Sequence, residues 1–228
     1  MIFSREQVSH ISDSAYLELT RNGQVLKYKD DKVAVCLSNK RIVKHFYKRP
    51  FFSSQTIIPY ALQFTKNAQR LKYMGIPSVH VTDIYYLPKE KCHLVIYPYL
   101  EGETIYDELS KGNFQSLAKF PEFIAKLHAL GIKFRDLHTG NMLAQPNSEI
   151  ALLDTSRLRF KKSALNLKQR AHNLAFLANT QQDQEFLLKF GFKAFLDAYF
   201  NAAKLSNRQI KKFLRYFNRR APEAFLIA

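Results

Sequence analysis

Cysteine is scarce in this chain: Cys36 and Cys92 stand 56 residues apart, with no second cysteine near either. That spacing excludes a disulfide framework and a CxxC metal or redox motif, and a reducing cytoplasm is the compartment it fits. No apolar run approaches the roughly 18 residues of a membrane-spanning helix. Arg5, Glu6, Asp13, Glu18 and Arg21 interrupt any signal-peptide core in the first 22 residues. Any membrane contact is therefore expected to be peripheral. The seven histidines show no HxxxH spacing, so zinc is not expected. There is no internal repeat and no low-complexity linker. At roughly 100 to 200 residues per domain, the chain is one large domain or two closely packed lobes.

Acidic residues are few as well. Against 19 Asp+Glu stand 35 Lys+Arg, a net charge of +16 that attracts phosphate-rich partners: nucleic acid, anionic lipid, phosphorylated glycans or nucleotides. What is plentiful is core material: 46% hydrophobic residues, with 19 Phe and 12 Tyr, argue against disorder and against a fibrous repeat.

From Tyr16 to Tyr47 the pattern predicts strands at Tyr16 to Thr20, Gln24 to Tyr28, Lys32 to Leu37 and Arg41 to Tyr47. The joining turns are Asn22-Gly23, Asp30-Asp31 and Ser38-Asn39. A helix is expected from about Pro59 to Met74, where Ala61, Phe64, Ala68 and Leu71 recur at helical spacing ahead of Gly75. Two further strands fit Val79 to Tyr86 and His93 to Tyr97. Beyond Gly102 the pattern turns helical, with Leu117, Phe120, Ile124 and Leu127 on one face and Pro121 either starting or kinking the helix. A loop with two short strands covers Phe134 to Arg159. Helices then follow at about Asn166 to Asn179, Asp183 to Lys204 and Ser206 to Arg219. Sheet first and helices after is an α+β arrangement.

The chemistry concentrates in Phe134-Arg135-Asp136-Leu137-His138-Thr139-Gly140-Asn141 and in Ile150-Ala151-Leu152-Leu153-Asp154. Four residues separate Asp136 from Asn141, and Asp154 comes 13 after Asn141 at the end of an apolar strand. Phosphoryl transfer needs such a set: a carboxylate to orient the attacking hydroxyl, then an amide oxygen and a second carboxylate to hold magnesium on nucleotide phosphates.

At these residues the sequence resembles the protein-kinase-like superfamily. "FRDLHTGNML" looks like its catalytic loop and "LLDTSR" like its metal-binding aspartate motif. Within it, the run "LHALGIKFRDLHTGNML", the following "LDTSRLRF" and "YLEGETI" at Tyr99 to Ile105 are similar to the lipopolysaccharide-core kinases, the Kdo and heptose kinases with their toluene-tolerance-like relatives. The resemblance covers roughly residues 16 to 180. It implies a two-lobed kinase-like fold in a single domain. The N-lobe (about 1–98) is an antiparallel sheet with one helix, and the C-lobe (about 99–228) is shortened and mostly helical. It implies an ATP- and magnesium-dependent kinase phosphorylating a sugar hydroxyl of lipopolysaccharide core, in the cytoplasm or peripherally at the inner face of the membrane. Asp136 would be the base, Asn141 and Asp154 the magnesium ligands, and Lys44 the lysine reaching the inner phosphates, with Lys48 as its rival. Main-chain groups around Tyr97 to Tyr99 would meet adenine, and His138 would contact the transferring phosphate.

The sequence departs from that pattern in places. No acidic residue lies between Lys32 and Thr82, so the helix glutamate that pairs with the strand lysine is missing, with Gln63 and Asn67 as stand-ins. The glycine-rich loop is absent. Phe134 replaces the histidine before Arg135, and Thr155-Ser156 replace Phe-Gly. These departures keep alive a non-catalytic alternative, a pseudokinase holding RNA or an anionic surface, beside kinases acting on protein or a small molecule. His128 reads as a core residue. The run Arg157, Arg159, Lys161 and Lys162 is placed to dock an anionic acceptor, or else decorates a strand edge. Ser206 to Arg220 is a basic amphipathic helix, serving lobe packing or docking to an anionic membrane.

Overall fold

The computed structural model describes residues 8–48, 59–147 and 149–227. Among them the chain is a mixed α+β structure with an antiparallel-rich sheet and eight α-helices. The described residues form two compact units. One runs up to Glu101 and adds Leu153–Ser156; the other is Gly102–Leu152 with the chain from Arg157 onward. None of the described helices is long and apolar enough to cross a membrane.

The first unit contains β1 (Ser9–His10), α1 (Asp13–Thr20), β2 (Gln24–Lys29), β3 (Lys32–Ser38), β4 (Arg41–Tyr47), α2 (Tyr60–Tyr73), β5 (Asp83–Leu87) and β6 (Cys92–Pro98). Its six strands are ordered β1-β5-β6-β4-β3-β2, and only the β1–β5 pairing is parallel. Side chains alternate along a strand, so β4 and β6 feed two cores. Ile42, Val95 and Tyr97 pack with Ala61, Phe64 and Ala68 of α2 on one face; Val43, Leu94 and Ile96 pack with Cys36 and Cys92 on the other.

That second core explains a correction. Tyr16 to Thr20, expected as a strand, is helical in α1. Ser12 caps it by accepting the Ala15 N–H at 3.2 Å, and Asp13 sits in the first turn where the helix dipole favours an anion. Tyr16 and Leu19, three apart, then reach the Cys36–Val43 core. The strand expected from Val79 starts only at Asp83, and Val79 and Val81 instead bury in the α2-side core as irregular chain.

The second unit contains β7 (Glu103–Thr104), α3 (Ile105–Ser110), α4 (Gln115–Ala129), β8 (Ile132–Phe134), β9 (Met142–Ala144), β10 (Ile150–Leu152), β11 (Leu158–Phe160), α5 (Leu167–Ala178), α6 (Gln181–Phe190), α7 (Phe192–Ala202) and α8 (Asn207–Asn218). A three-stranded sheet is ordered β10-β9-β7, and β11 pairs with β8 as an antiparallel ribbon. Pro121 neither starts nor ends α4, which runs through it. The single helix expected at Asp183 to Lys204 is two, broken at Gly191, whose φ of 95° lies in the left-handed region that side chains avoid. Phe192, just past the break, then packs with Phe195, Phe217 and Phe225. In α8 Phe213 and Phe217 are buried, which is the packing role, while its lysines and arginines face outward.

Candidate active site

In the first unit Lys44 stands on β4, two residues from Ile42 and so on the α2 face. Its Nζ lies 3.1 Å from Asp154 Oδ2 and 4.7 Å from the centre of the Phe64 ring, so the partly buried ammonium has a charged and an aromatic partner. Burial pushes the Asp154 carboxyl up, but Lys44 and the Ser156 N–H and hydroxyl outweigh it and hold it below its ordinary value. The Ser156 N–H donates to Asp154 Oδ1 at 2.9 Å. The partner of the strand lysine is thus Asp154, the sequence's own metal candidate. Asn67, one of the two expected stand-ins, donates its amide to the Thr155 carbonyl at 2.6 Å, and Gln63 donates to Asn67 at 2.8 Å. The Thr155 hydroxyl donates to the Phe64 carbonyl at 2.7 Å. Thr155 in place of phenylalanine therefore stitches the Leu153–Ser156 segment to α2 by hydrogen bonds.

Tyr97 lies near the end of β6 and Tyr99 just beyond it. Tyr97 pairs with Ile42 across β6 and β4, and the Tyr99 N–H donates to the Lys40 carbonyl at 2.9 Å. Main-chain groups alternate along a strand, so both residues direct theirs to β4, and the carbonyl of Pro98 between them points the other way. The Tyr97 side chain is buried against Phe64, where burial and then the Asp154 carboxylate keep its phenol protonated.

In the second unit Asp136 follows β8 and meets Arg157, whose guanidinium donates to Asp136 Oδ1 at 2.8 Å. Arg157, expected to dock an anionic acceptor, is thus paired with Asp136, the residue that the resemblance makes the base. Asn141 donates its Nδ2 to the Asp136 main-chain carbonyl at 2.9 Å, which fixes the amide and turns its oxygen away from that carbonyl. His138 accepts at Nδ1 from Gln182 Nε2 at 3.0 Å. Arg159 is exposed on β11.

Two supports escaped the sequence reading. Asp183 of α6 is fully buried and accepts both the Thr139 N–H, at 3.0 Å, and the Thr139 hydroxyl, at 2.5 Å, clamping the loop between Asp136 and Asn141. Burial pushes its carboxyl up to about 6 against the Thr139 and Gln182 hydrogen bonds. Asn173 of α5 brackets Phe134, accepting its N–H at 3.1 Å and donating to its carbonyl at 2.6 Å. His128 reaches Asn173 Oδ1 through Nε2 and the Tyr199 hydroxyl through Nδ1 at 2.8 Å. Asn173 Oδ1 can only accept, so Nε2 carries the proton. Burial holds this imidazole neutral, its value down at about 3. The side chains of Asp183 and Asn173 lie 44 and 39 residues from their targets, and no local spacing marks them.

No family model matches the sequence, and no curated protein matches it. Among solved structures the chain is similar to the bifunctional kinase-methyltransferase WbdD. One structure aligns with 86% of this chain and 50% of WbdD at 14% identity, with a TM-score of 0.49. A second covers 80% and 47% at 13% identity, with a TM-score of 0.47. A third, WbdD with the kinase inhibitor LY294002, covers 78% and 45% at 14% identity, also with a TM-score of 0.47. The chain spans about half the length of these proteins.

Proposed function

We propose that this chain is a phosphotransferase that uses ATP with magnesium and transfers a phosphoryl group to a sugar hydroxyl of lipopolysaccharide core. The observation that carries the reading is the Lys44–Asp154 pair. It joins a strand lysine to the aspartate of a motif 110 residues away, and the two are the residues that the resemblance singles out for nucleotide and metal. In this reading Lys44 binds the inner phosphates and the Pro98 carbonyl is the main-chain acceptor for adenine. Asn141 and Asp154 are hard oxygen donors of the kind magnesium takes, and the ion would neutralise charge on the nucleotide phosphates. Asp136, oriented by Arg157, takes the proton of the acceptor hydroxyl, and His138 would contact the transferred group. A lipid-linked acceptor would put the enzyme at the cytoplasmic face of the membrane.

The test is incubation with labelled ATP and magnesium against dephosphorylated lipopolysaccharide core, a generic protein and small sugars. Label on the core alone supports the reading; label on protein or on free sugar replaces its substrate. A second reading, a protein without turnover, is favoured by the β2–β3 turn. Asp30 and Asp31, with φ of 50° and 58°, put two carboxylates where a phosphate-gripping hairpin has glycine. No transfer to any acceptor would select it.

A further inference from the structure

The β8–β11 ribbon has two unlike faces. Register pairs Leu158 with Phe134 and Phe160 with Ile132, and Phe134, Ile132 and Leu158 are buried. The same register sets Arg159 opposite Lys133, and the Arg135 N–H bonds the Arg157 carbonyl at the next step. Alternation then gathers Lys133, Arg135, Arg157, Arg159 and Lys161 on the other face. Of these, Arg157 is spent on Asp136. Like charges directly opposite one another destabilise a ribbon. No acidic residue occurs from Thr155 to Gln182, and Asp136, next to Arg135 in the chain, is bonded to Arg157. Burial, then Arg135, Arg220 and Lys161 lower the value of Lys133. Burial, then Arg220, Lys168 and Lys133 do the same to His172 of α5.

We propose that this cationic face is an oxyanion site, built by Lys133, Arg135, Arg159 and Lys161, that holds a phosphate group carried by the acceptor beside Asp136. Arginine forks match phosphate bidentately, and a bound phosphate dianion relieves the cross-strand repulsion of the ribbon. Asp136 directly follows Arg135 in the chain, so an acceptor anchored here presents a neighbouring hydroxyl to the proposed base. The site deepens the phosphotransferase reading and rests on it only for the identity of the bound molecule as acceptor.

The probes are pyrophosphate and hexose 6-phosphate, with the neutral hexose as control, titrated calorimetrically into the full chain at low salt. Pyrophosphate should bind and raise the melting temperature, hexose 6-phosphate should compete with it, and the neutral hexose should not. Arg135→Gln with Arg159→Gln should weaken both anions at least tenfold. Because both residues are exposed and Arg159 opposes Lys133, this pair should melt no lower than the wild type without ligand. The α8 pair Lys211→Gln with Arg215→Gln should bind as the wild type does. Equal loss in the α8 pair would reduce the site to diffuse charge and overturn it, and so would unchanged binding in the Arg135 and Arg159 variant. Pyrophosphate binding that hexose 6-phosphate cannot displace overturns the acceptor assignment. Intact phosphate binding with no phosphoryl transfer to any acceptor would sink the phosphotransferase reading and leave the oxyanion site standing.

Discussion

Asp136 is held at one carboxylate oxygen by Arg157 and at its main-chain carbonyl by Asn141, so its side chain enters any reaction already oriented. Asp136→Asn should cost about 10² to 10⁴ in transfer rate while leaving nucleotide affinity nearly unchanged, since a base acts on the acceptor. Single-turnover kinetics beside a nucleotide titration checks this, and a fully active variant would sink the assignment. Asp154→Asn should instead reduce the magnesium dependence of nucleotide binding, as read by calorimetry with and without the ion. Asp183 makes a different kind of prediction. Its folded value of about 6 lies above that of an unfolded aspartate, so it favours the native state fully at low pH. That contribution falls as pH rises from about 4 to about 6. Asp183→Asn, still able to accept the Thr139 N–H and donate to its hydroxyl, should remove that decline, read as the wild-type minus variant difference in urea midpoints across a pH series. At this scale Asp136, Asn141, Asp154 and Lys44 could be nominated from the sequence because local motifs carry them. Asp183 and Asn173 were not, because their meaning is a contact the chain makes only when folded.

Among the elements, β8 is held by more than its ladder. The His128–Asn173–Tyr199 set grips Phe134 at one end, and at the other the Gly131 carbonyl accepts the Lys161 N–H. His128 stays neutral in the fold with a value near 3, against about 6.5 when unfolded. Its contribution is therefore complete above about pH 6.5 and is lost as pH falls below it, by about 1.4 kcal/mol per pH unit. An acid denaturation series should show this loss in the wild type. Gly131, at φ 74°, faces the Ser163 carbonyl where a Cβ would collide, so Gly131→Ala should lower the melting temperature by several degrees. Strands β2, β3, β4 and β6, with helices α2, α4, α5 and α8, were readable from period and caps. The errors have physical causes: α1 is short and its apolar pair serves a core that alternation also explains, and the α6–α7 break rests on one glycine within continuous helical periodicity.

For the whole molecule, sheet before helices was legible in residue order, whereas the return of Leu153–Ser156 to the first unit was not, since nothing in four residues announces it. The +16 charge reads out as surface behaviour. Because Phe213 and Phe217 are committed to the interior, any attachment of α8 to an anionic leaflet is electrostatic, each basic side chain contributing about 1 kcal/mol, screened over about 8 Å at physiological salt. Sedimentation with anionic vesicles should fall steeply as salt rises and weaken in Lys211→Glu with Lys212→Glu and Arg215→Glu. Salt-independent binding would count against this.

The Leu153–Ser156 excursion also sets an order of events at the ribosome. The sheet of the first unit is synthesised by Glu101, yet Lys44 has no carboxylate and the Asn67 amide no Thr155 carbonyl until some fifty further residues have emerged. At about 5 to 20 residues per second, that leaves seconds in which the amino-terminal sheet waits with a half-desolvated cation and an uncovered helix face. A nascent chain stalled near Glu101 should therefore be cleaved by protease far faster than one stalled well beyond Ser156, and chaperone capture during translation should peak in that interval.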